Sequence, residues 1–320
     1  MSNERLIHKG STKDVFLLDD VYLFRFSDRY SVFDWGEMPD HLEWKGRALA
    51  AFTKSIFQKL KAVGIKHHLL DVESAADEII VRPYEVIRDG SSLIGRKNVF
   101  LPLEVIFRLG VAKGASITKR LKGKDEWISA GFDREYNELE MFSEPFIEFT
   151  TKLERIDRPL THQEAKELSG LDEKEWHSLL TTTIKIALIL KKLFLSKGII
   201  LWDGKMEFAL NGNREIVLVD SIGPDELRLT KDGVQLSKEI IRQFYKKTSW
   251  YSELENAKSI HGAHFKNFMT PPPRLPKEFK IAVEDLYQIL SDLITEEEVQ
   301  KQKRNQDRLQ NVMIKLRESL

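Results

Sequence analysis

Apolar and polar positions change period several times along this chain. In the first hundred residues the runs "DVFLLDD", "VYLFRFSD", "HHLLDV" and "EIIVRPYEVI" are short, rich in β-branched and aromatic residues and separated by turn formers, which predicts a twisted antiparallel sheet. Between them, apolar residues from Lys45 to Val63 recur at helical spacing, so one helix is expected beside that sheet. "FLPLEVIFRLGV" reads as a further strand and "SITKRL" as a helix start. From about Asp172 to Lys197 the period is helical again, with Gly198 as the stop signal. "IILWDGKMEFAL", the loop "NGNRE" and "IVLVDSIG" then form strand, turn and strand, the signature of a hairpin. Mostly helical segments follow, punctuated by "TPPPRLP" at 270–276 and ending in a charged amphipathic tail from about 280 to 320.

The hairpin carries an anomaly. Side chains alternate faces along a strand, so Asp203, Lys205 and Glu207 project together while Trp202, Met206 and Phe208 face the other way. A solvated edge with cross-strand ion pairs would explain three charges on one face. Asp220, however, ends the next strand and brings another carboxylate alongside, and a Pro-Asp turn with Arg228 follows at once. Oxygen ligands beside a lysine suit magnesium and phosphate. Two further fragments point the same way. "HKGSTKDVFLL" is a Gly10 turn with Lys9 and Lys13 running into a strand, either a plain hairpin turn or a loop that covers nucleotide phosphates. "FRLGVAKGASITKRL" sets Arg108, Ser116, Lys119 and Arg120 around two glycines, which suits a phosphate monoester.

Composition narrows the picture. A chain of 320 residues can bury the core of one enzyme-sized globule. Fifty Lys and Arg balance fifty Asp and Glu, which gives no support to nucleic acid or an anionic membrane as partner. Cysteine is absent, which removes disulfides, thiolate metal sites and a cysteine nucleophile. "MSNERLIHKG" lacks the apolar core of a signal peptide, and lysines and a glycine interrupt the greasiest stretch, "IKIALILKKLFLSKGIILW". A soluble cytoplasmic protein acting on small molecules is expected, with homo-oligomerisation left open.

Taken in order, these fragments resemble the SAICAR synthetase family, purine-pathway ligases that join a carboxylated aminoimidazole ribotide to aspartate with ATP. "GSTKDVF" is similar to the family's Gly-Lys-x-Lys-x-Val-Tyr opening and "DRYSVFD" to its Asp-Arg-x-Ser-Ala-Phe-Asp. "WKGRAL", "VRPYEVI", "PLEVIFR" and "TTKLERID" follow in family order, as do "LWDGKMEFA", "LVDSIGPDELR" and "TPPPRLP". The resemblance implies an α+β, two-lobed fold like that of kinases and ATP-grasp enzymes, with antiparallel sheets, packed helices and the nucleotide in the cleft. It implies a β-rich nucleotide lobe over 1–88 with the phosphate loop, a larger α+β lobe over 89–276 with the metal and substrate site, and a helical extension over 277–320.

The implied ligands are ATP, Mg²⁺, the ribotide and the amino acid. Metal binding falls on Glu207 and Asp220, and the catalytic pair on Asp203 and Lys205 beside the imidazole carboxylate. Nucleotide contacts fall on Gly10, Ser11, Lys13, Lys152 and the hinge Glu85, Val86 and Ile87, besides the two metal-binding acids. Ribotide contacts fall on Arg108, Ser116 and Arg228, with Asp157 in the same network. Departures from the pattern are Ser11 for a lysine, Ala209 for a glycine, Ser221 for the glutamate after the metal-binding aspartate, and an insertion, "RDGSSLIGRKNVFL". They keep open a related ligase with another carboxylate and amine. A kinase of the inositol phosphate type is a more distant alternative.

Overall fold

A computed structural model describes residues 4–88, 92–154 and 157–320. The chain opens with β1 (Glu4–Lys9), β2 (Lys13–Leu18) and β3 (Val21–Phe26), then α1 (Lys45–Lys61) and β4 (Glu78–Val81). These strands form one antiparallel sheet in the order β1-β2-β3-β4. The first strand, at the sheet's edge, is exposed along its whole length and slips register between Leu6 and His8. The predicted helix at 45–63 is α1; its apolar face, with Phe52, Ile56 and Phe57, is buried. The run "HHLLDV" is not a strand. His67 makes an isolated bridge to Leu218 and Leu69 one to Val81, so this connector is shared between two sheets and ladders with neither.

The second sheet is built from β5 (Val99–Phe100), β6 (Leu103–Gly110), β7 (Met141–Thr151), β8 (Pro159–Leu160), β9 (Ile200–Leu210), β10 (Ile216–Val219), β11 (Leu227–Lys231) and β12 (Val234–Gln235). Its main path runs β12-β11-β9-β6-β7-β8, with β10 and β5 pairing the far end of β9. The sequence pattern leaves β7 unassigned, since Ser143, Glu144 and Pro145 interrupt its apolar alternation. Short helices α2 (Ile117–Arg120) and α3 (Lys124–Ser129) lie between β6 and β7. After β8 come α4 (His162–Ser169) and α5 (Glu173–Leu195).

Helix α5 begins at a capping box, in which Glu175 N–H donates to Asp172 at 2.8 Å and Asp172 N–H to Glu175 at 3.0 Å. Gly198, at φ 65°, turns the chain from this helix into β9. The predicted hairpin is β9 and β10, paired from Ile216↔Leu210 to Val219↔Glu207. Its loop is fixed to the helix by Arg214, whose guanidinium holds both oxygens of Glu175 at 2.6 and 2.7 Å.

The last quarter is helical: α6 (Glu239–Lys246), α7 (Ser249–His261), a 3-10 turn at Gly262–Phe268, α8 (Lys277–Thr295) and α9 (Val299–Ser319). Helix α8 packs on α1, where Ser55 donates to the Ile294 carbonyl at 3.1 Å and Glu284 accepts from Glu43 N–H at 2.7 Å. One continuous apolar core therefore runs from Phe24 in β3 through Phe208 in β9 to Leu316 in α9. No helix among the described residues is long and apolar enough to cross a membrane.

Candidate active site

Strand β9 lies between β6 and β11 in the middle of the second sheet. The register Arg108↔Asp203 and Ile106↔Lys205 places Glu104 and Arg108 on the face that carries Asp203, Lys205 and Glu207. Gly204, between the first two acid and base positions, pairs with both Phe107 and Leu227. A Cβ there would lie 2.6 Å from Leu227 and 2.7 Å from Phe107, so only glycine lets the three strands close behind the charged face.

The charges on that face are matched pairwise. Asp203 accepts from Arg108 at 3.1 Å and pairs with Arg228 at 3.4 Å. Glu104, only 5% exposed, accepts from Lys205 at 2.8 Å and from Lys152 at 2.9 Å, and Lys152 reaches on to Glu207 at 2.7 Å. Burial raises the Glu104 carboxyl, but Lys205 and Lys152 outweigh that and hold it below the usual range. Glu104 was legible only indirectly: it stands four residues before Arg108 on one strand, which places both on one face.

Glu207 and Asp220 come together because of a break in alternation. Val219 is the partner of Glu207, so Asp220 would face the opposite side of a regular strand. Its backbone is instead left-handed, at φ 65°, which turns the carboxylate back into the cleft. There it pairs with Lys13, whose ammonium also donates to the Ser221 hydroxyl at 3.1 Å. The His68 ring donates to the Asp220 carbonyl at 2.9 Å. Burial and the charge of Asp220 push the Glu207 carboxyl up. At Asp220, burial is outweighed by Lys13 and Lys152, and the carboxyl is held low.

The loop ahead of Lys13 is a tight turn. Gly10 N–H donates to the Lys13 carbonyl at 3.0 Å, and a Cβ at Gly10 would lie 2.4 Å from that oxygen. Arg29, from the "DRYSVFD" segment, braces it by donating to the Gly10 carbonyl at 3.1 Å and to Asp14 at 2.6 Å.

A cleft of about 590 Å³ runs from this loop across the charged face, lined by Gly10, Ser11, Lys13, Lys152, Glu207 and Asp220. Of the hinge residues, Val86 lines it, while Glu85 is exposed and Ile87 packs toward the core. Arg82, Tyr84 and Arg88 join Val86 there. The far end of the insertion closes on the hinge. Glu85 N–H donates to Asn98 O and Glu85 O accepts from Phe100 N–H, both at 2.9 Å, and β5 continues onto β9.

A second cavity of about 240 Å³ gathers Arg108, Ser116, Asp203 and Arg228. Arg108 also donates to Ser116 at 3.3 Å, and Glu148 holds both Arg108 and Arg120 in ion pairs. Nη1 of Arg228, the nitrogen that pairs with Asp203, is buried and makes no hydrogen bond among the described residues. The side chain of Lys119 lies outside the described residues. Asp157 is exposed and lines neither cavity. The two cavities meet at Lys205, Asp225, Glu226 and Lys238. The last three were missed in the sequence, because only the fold brings this turn and the start of α6 against β9. Asp225 accepts from Lys45 at 2.8 Å and from the Tyr287 hydroxyl at 2.5 Å, joining α1, the site loop and α8.

Fold and site together define a class: an α+β enzyme whose cleft, bordered by the Gly10 loop, opens into a second cavity lined by Arg108 and Arg228. The family model described as SAICAR synthetase matches residues 6–257, and the chain belongs to that family. It is 37% identical over 311 residues to an Archaeoglobus fulgidus protein provisionally named phosphoribosylaminoimidazole-succinocarboxamide synthase, covering 89% of this chain and 93% of the relative. It is 34% identical over 302 residues to the synthase of that name from Thermoplasma acidophilum, covering 91% and 98%. Among solved structures it resembles a type-2 SAICAR synthetase in complex with ADP, with a TM-score of 0.61 and 28% identity over 84% of this chain and 99% of that one. The fold also matches the Saccharomyces cerevisiae SAICAR synthase complexed with SAICAR, with a TM-score of 0.68 at 21% identity over 91% and 95% of the two chains.

Proposed function

We propose that this chain forms an amide between a carboxylated aminoimidazole ribotide and aspartate, using ATP and passing through an acyl phosphate. The observation that carries the reading is the meeting of the two cavities at Lys205. One side offers a phosphate loop and two carboxylates, the other two arginines and a serine, and an acyl phosphate must form between a nucleotide and a phosphorylated acid.

Each residue then has a task. The turn at Gly10 and Ser11 covers the nucleotide phosphates, and Lys13 and Lys152 offset their charge. Val86 and the hinge backbone receive the base. Arg108, Ser116 and Arg228 hold the ribotide phosphate, to which a planar guanidinium fork is suited. Asp203 orients both arginines and the ribotide, and Lys205 steadies the substrate carboxylate for attack on the γ-phosphorus. Asp157, outside both cavities, contributes to this network only through the mutual action of its charge and those of Lys152 and Lys205.

Glu207 and Asp220 fit a divalent cation of the magnesium type, which takes one or two carboxylates and completes its shell with phosphate oxygens and water. The mutual repulsion expressed at Glu207 is what such an ion relieves. Held there, it would neutralise charge shared by the β- and γ-phosphates. The small-molecule substrates and the cysteine-free composition support a cytoplasmic site of action.

The test is product analysis by mass spectrometry with ATP, aminoimidazole carboxylate ribotide and a panel of amino acids. Aspartate should give the succinocarboxamide with release of ADP and phosphate. An amide from another amino acid, with none from aspartate, overturns the substrate assignment. Phosphorylation of the ribotide or of a polyol with no amide formed overturns the ligase.

A further inference from the structure

Four side chains are shared by the nucleotide cleft and the ribotide cavity, and two of them are already engaged. Lys205 is bonded to Glu104, and Asp225 to Lys45 and Tyr287. Glu226 and Lys238 differ. Among the described residues neither side chain has a hydrogen-bond or ion-pair partner, although both are half-buried and open to both cavities. Their backbones are held in place: Glu226 O accepts from Lys205 N–H at 3.0 Å, Glu226 N–H donates to Gly223 O at 3.1 Å, and Lys238 N–H reaches Pro224 O at 3.4 Å. An unpaired carboxylate and an unpaired ammonium, fixed at the junction but not joined to each other, form a receptor for a ligand carrying both opposite charges.

We infer that Glu226 and Lys238 form the amino-acid subsite, Glu226 receiving the ammonium of the incoming amino acid and taking its proton while Lys238 holds a carboxylate. The inference rests on the ligase reading above and names the group that supplies the acid absent at Ser221. Lys13 links the two positions, since it donates to the Ser221 hydroxyl and its charge acts on Glu226.

The chemistry balances without another reagent. The ammonium gives one proton to Glu226. The freed amine attacks the acyl-phosphate carbon; the C–N bond forms, the C–O bond to phosphate breaks, and the departing phosphate takes the second proton from nitrogen. Burial and neighbouring Asp225 raise the Glu226 carboxyl to about 7, with Asp220 adding to the rise and Lys13 and Lys238 opposing it. A carboxylate so poised can take and release a proton near neutrality.

Hydroxylamine separates this step from the rest. It is largely neutral at pH 7, carries no carboxylate and traps acyl phosphates as hydroxamates, so it needs neither Glu226 nor Lys238. With ATP and ribotide the unaltered protein should form amide from aspartate and hydroxamate from hydroxylamine. Glu226→Gln and, separately, Lys238→Met should each lower kcat/KM for aspartate by about 100-fold, with hydroxamate formation within about threefold. If amide formation in both variants stays within about threefold, or if hydroxamate and amide fall together, the subsite is wrong. If the unaltered protein forms no hydroxamate, the acyl-phosphate reading beneath the inference is what fails.

Discussion

At the scale of single residues, the backbone of Asp220 decides the site. A left-handed conformation at the end of β10 turns its carboxylate toward Glu207 and Lys13. Asparagine adopts that conformation as readily as aspartate, so Asp220→Asn should keep the fold while removing the charge. Turnover of ATP with ribotide and aspartate should be lost with an unchanged circular dichroism spectrum; a rate within about threefold of the unaltered protein would remove Asp220 from the metal site. Arg228→Lys tests the other cavity. A lysine cannot reproduce a planar fork, so the KM for the ribotide should rise about tenfold or more while that for ATP barely moves. A rise for ATP alone would reverse the two pockets. The acids and bases of "DGKME" were legible because a strand's period of two puts them on one face. Glu104, Asp225, Glu226 and Lys238 were not, because their neighbours are set by strand register and by a turn meeting a helix start, which no local spacing encodes.

Among the elements, α1 and α8 meet at the buried ion pair of Lys45 and Asp225, with Tyr287 as third member. Lys45 is fully buried, so Lys45→Met leaves a carboxylate in the interior with one hydroxyl for company. The loss should be about 3–5 kcal/mol in denaturant unfolding, against under about 1 kcal/mol for Lys59→Met at the exposed end of the same helix. The pair also sets a pH dependence. Burial would raise the Asp225 carboxyl, but Lys45, with Lys238 and the Tyr287 hydroxyl, outweighs it and holds the carboxyl well below its unfolded value. Stability from this group is therefore complete above about pH 4 and falls as the pH drops below it toward the folded value. Lys45→Met should flatten that acid limb. The helices were the most readable elements, since α1 and α5 have an unbroken period, and Gly198 stands where the second one stops. Strand β1 and the long β7 were not: the first is charged and exposed throughout, and the second carries Pro145 among polar residues. "HHLLDV" has a strand's composition but bridges two sheets, a tertiary role that its pattern does not reveal.

At the scale of the whole molecule, one core ties the sheet that carries the Gly10 loop, the charged sheet and the terminal helices together, so the site is assembled only when all three are in place. The first sheet nonetheless ends in an open row of backbone donors and acceptors on β1. That strand is protected in two ways: Glu4, Arg5, His8 and Lys9 give it charge, and its slipped register between Leu6 and His8 breaks the flat ladder another copy would need. Leu6 and Ile7 are 50% and 41% exposed on the same strand. Whether copies of the chain stay apart during synthesis and storage is therefore governed along this edge, whose Ile7 and His8 also line the cleft that holds Glu207 and Asp220. Replacing Arg5 and Lys9 with valine should leave the unfolding midpoint within a degree or so, since both are exposed, yet convert the edge into a template for self-association. Sedimentation and light scattering over days would show it as growing oligomers, and a variant that stays as dispersed as the unaltered protein would show that the bulge alone suffices to keep copies apart.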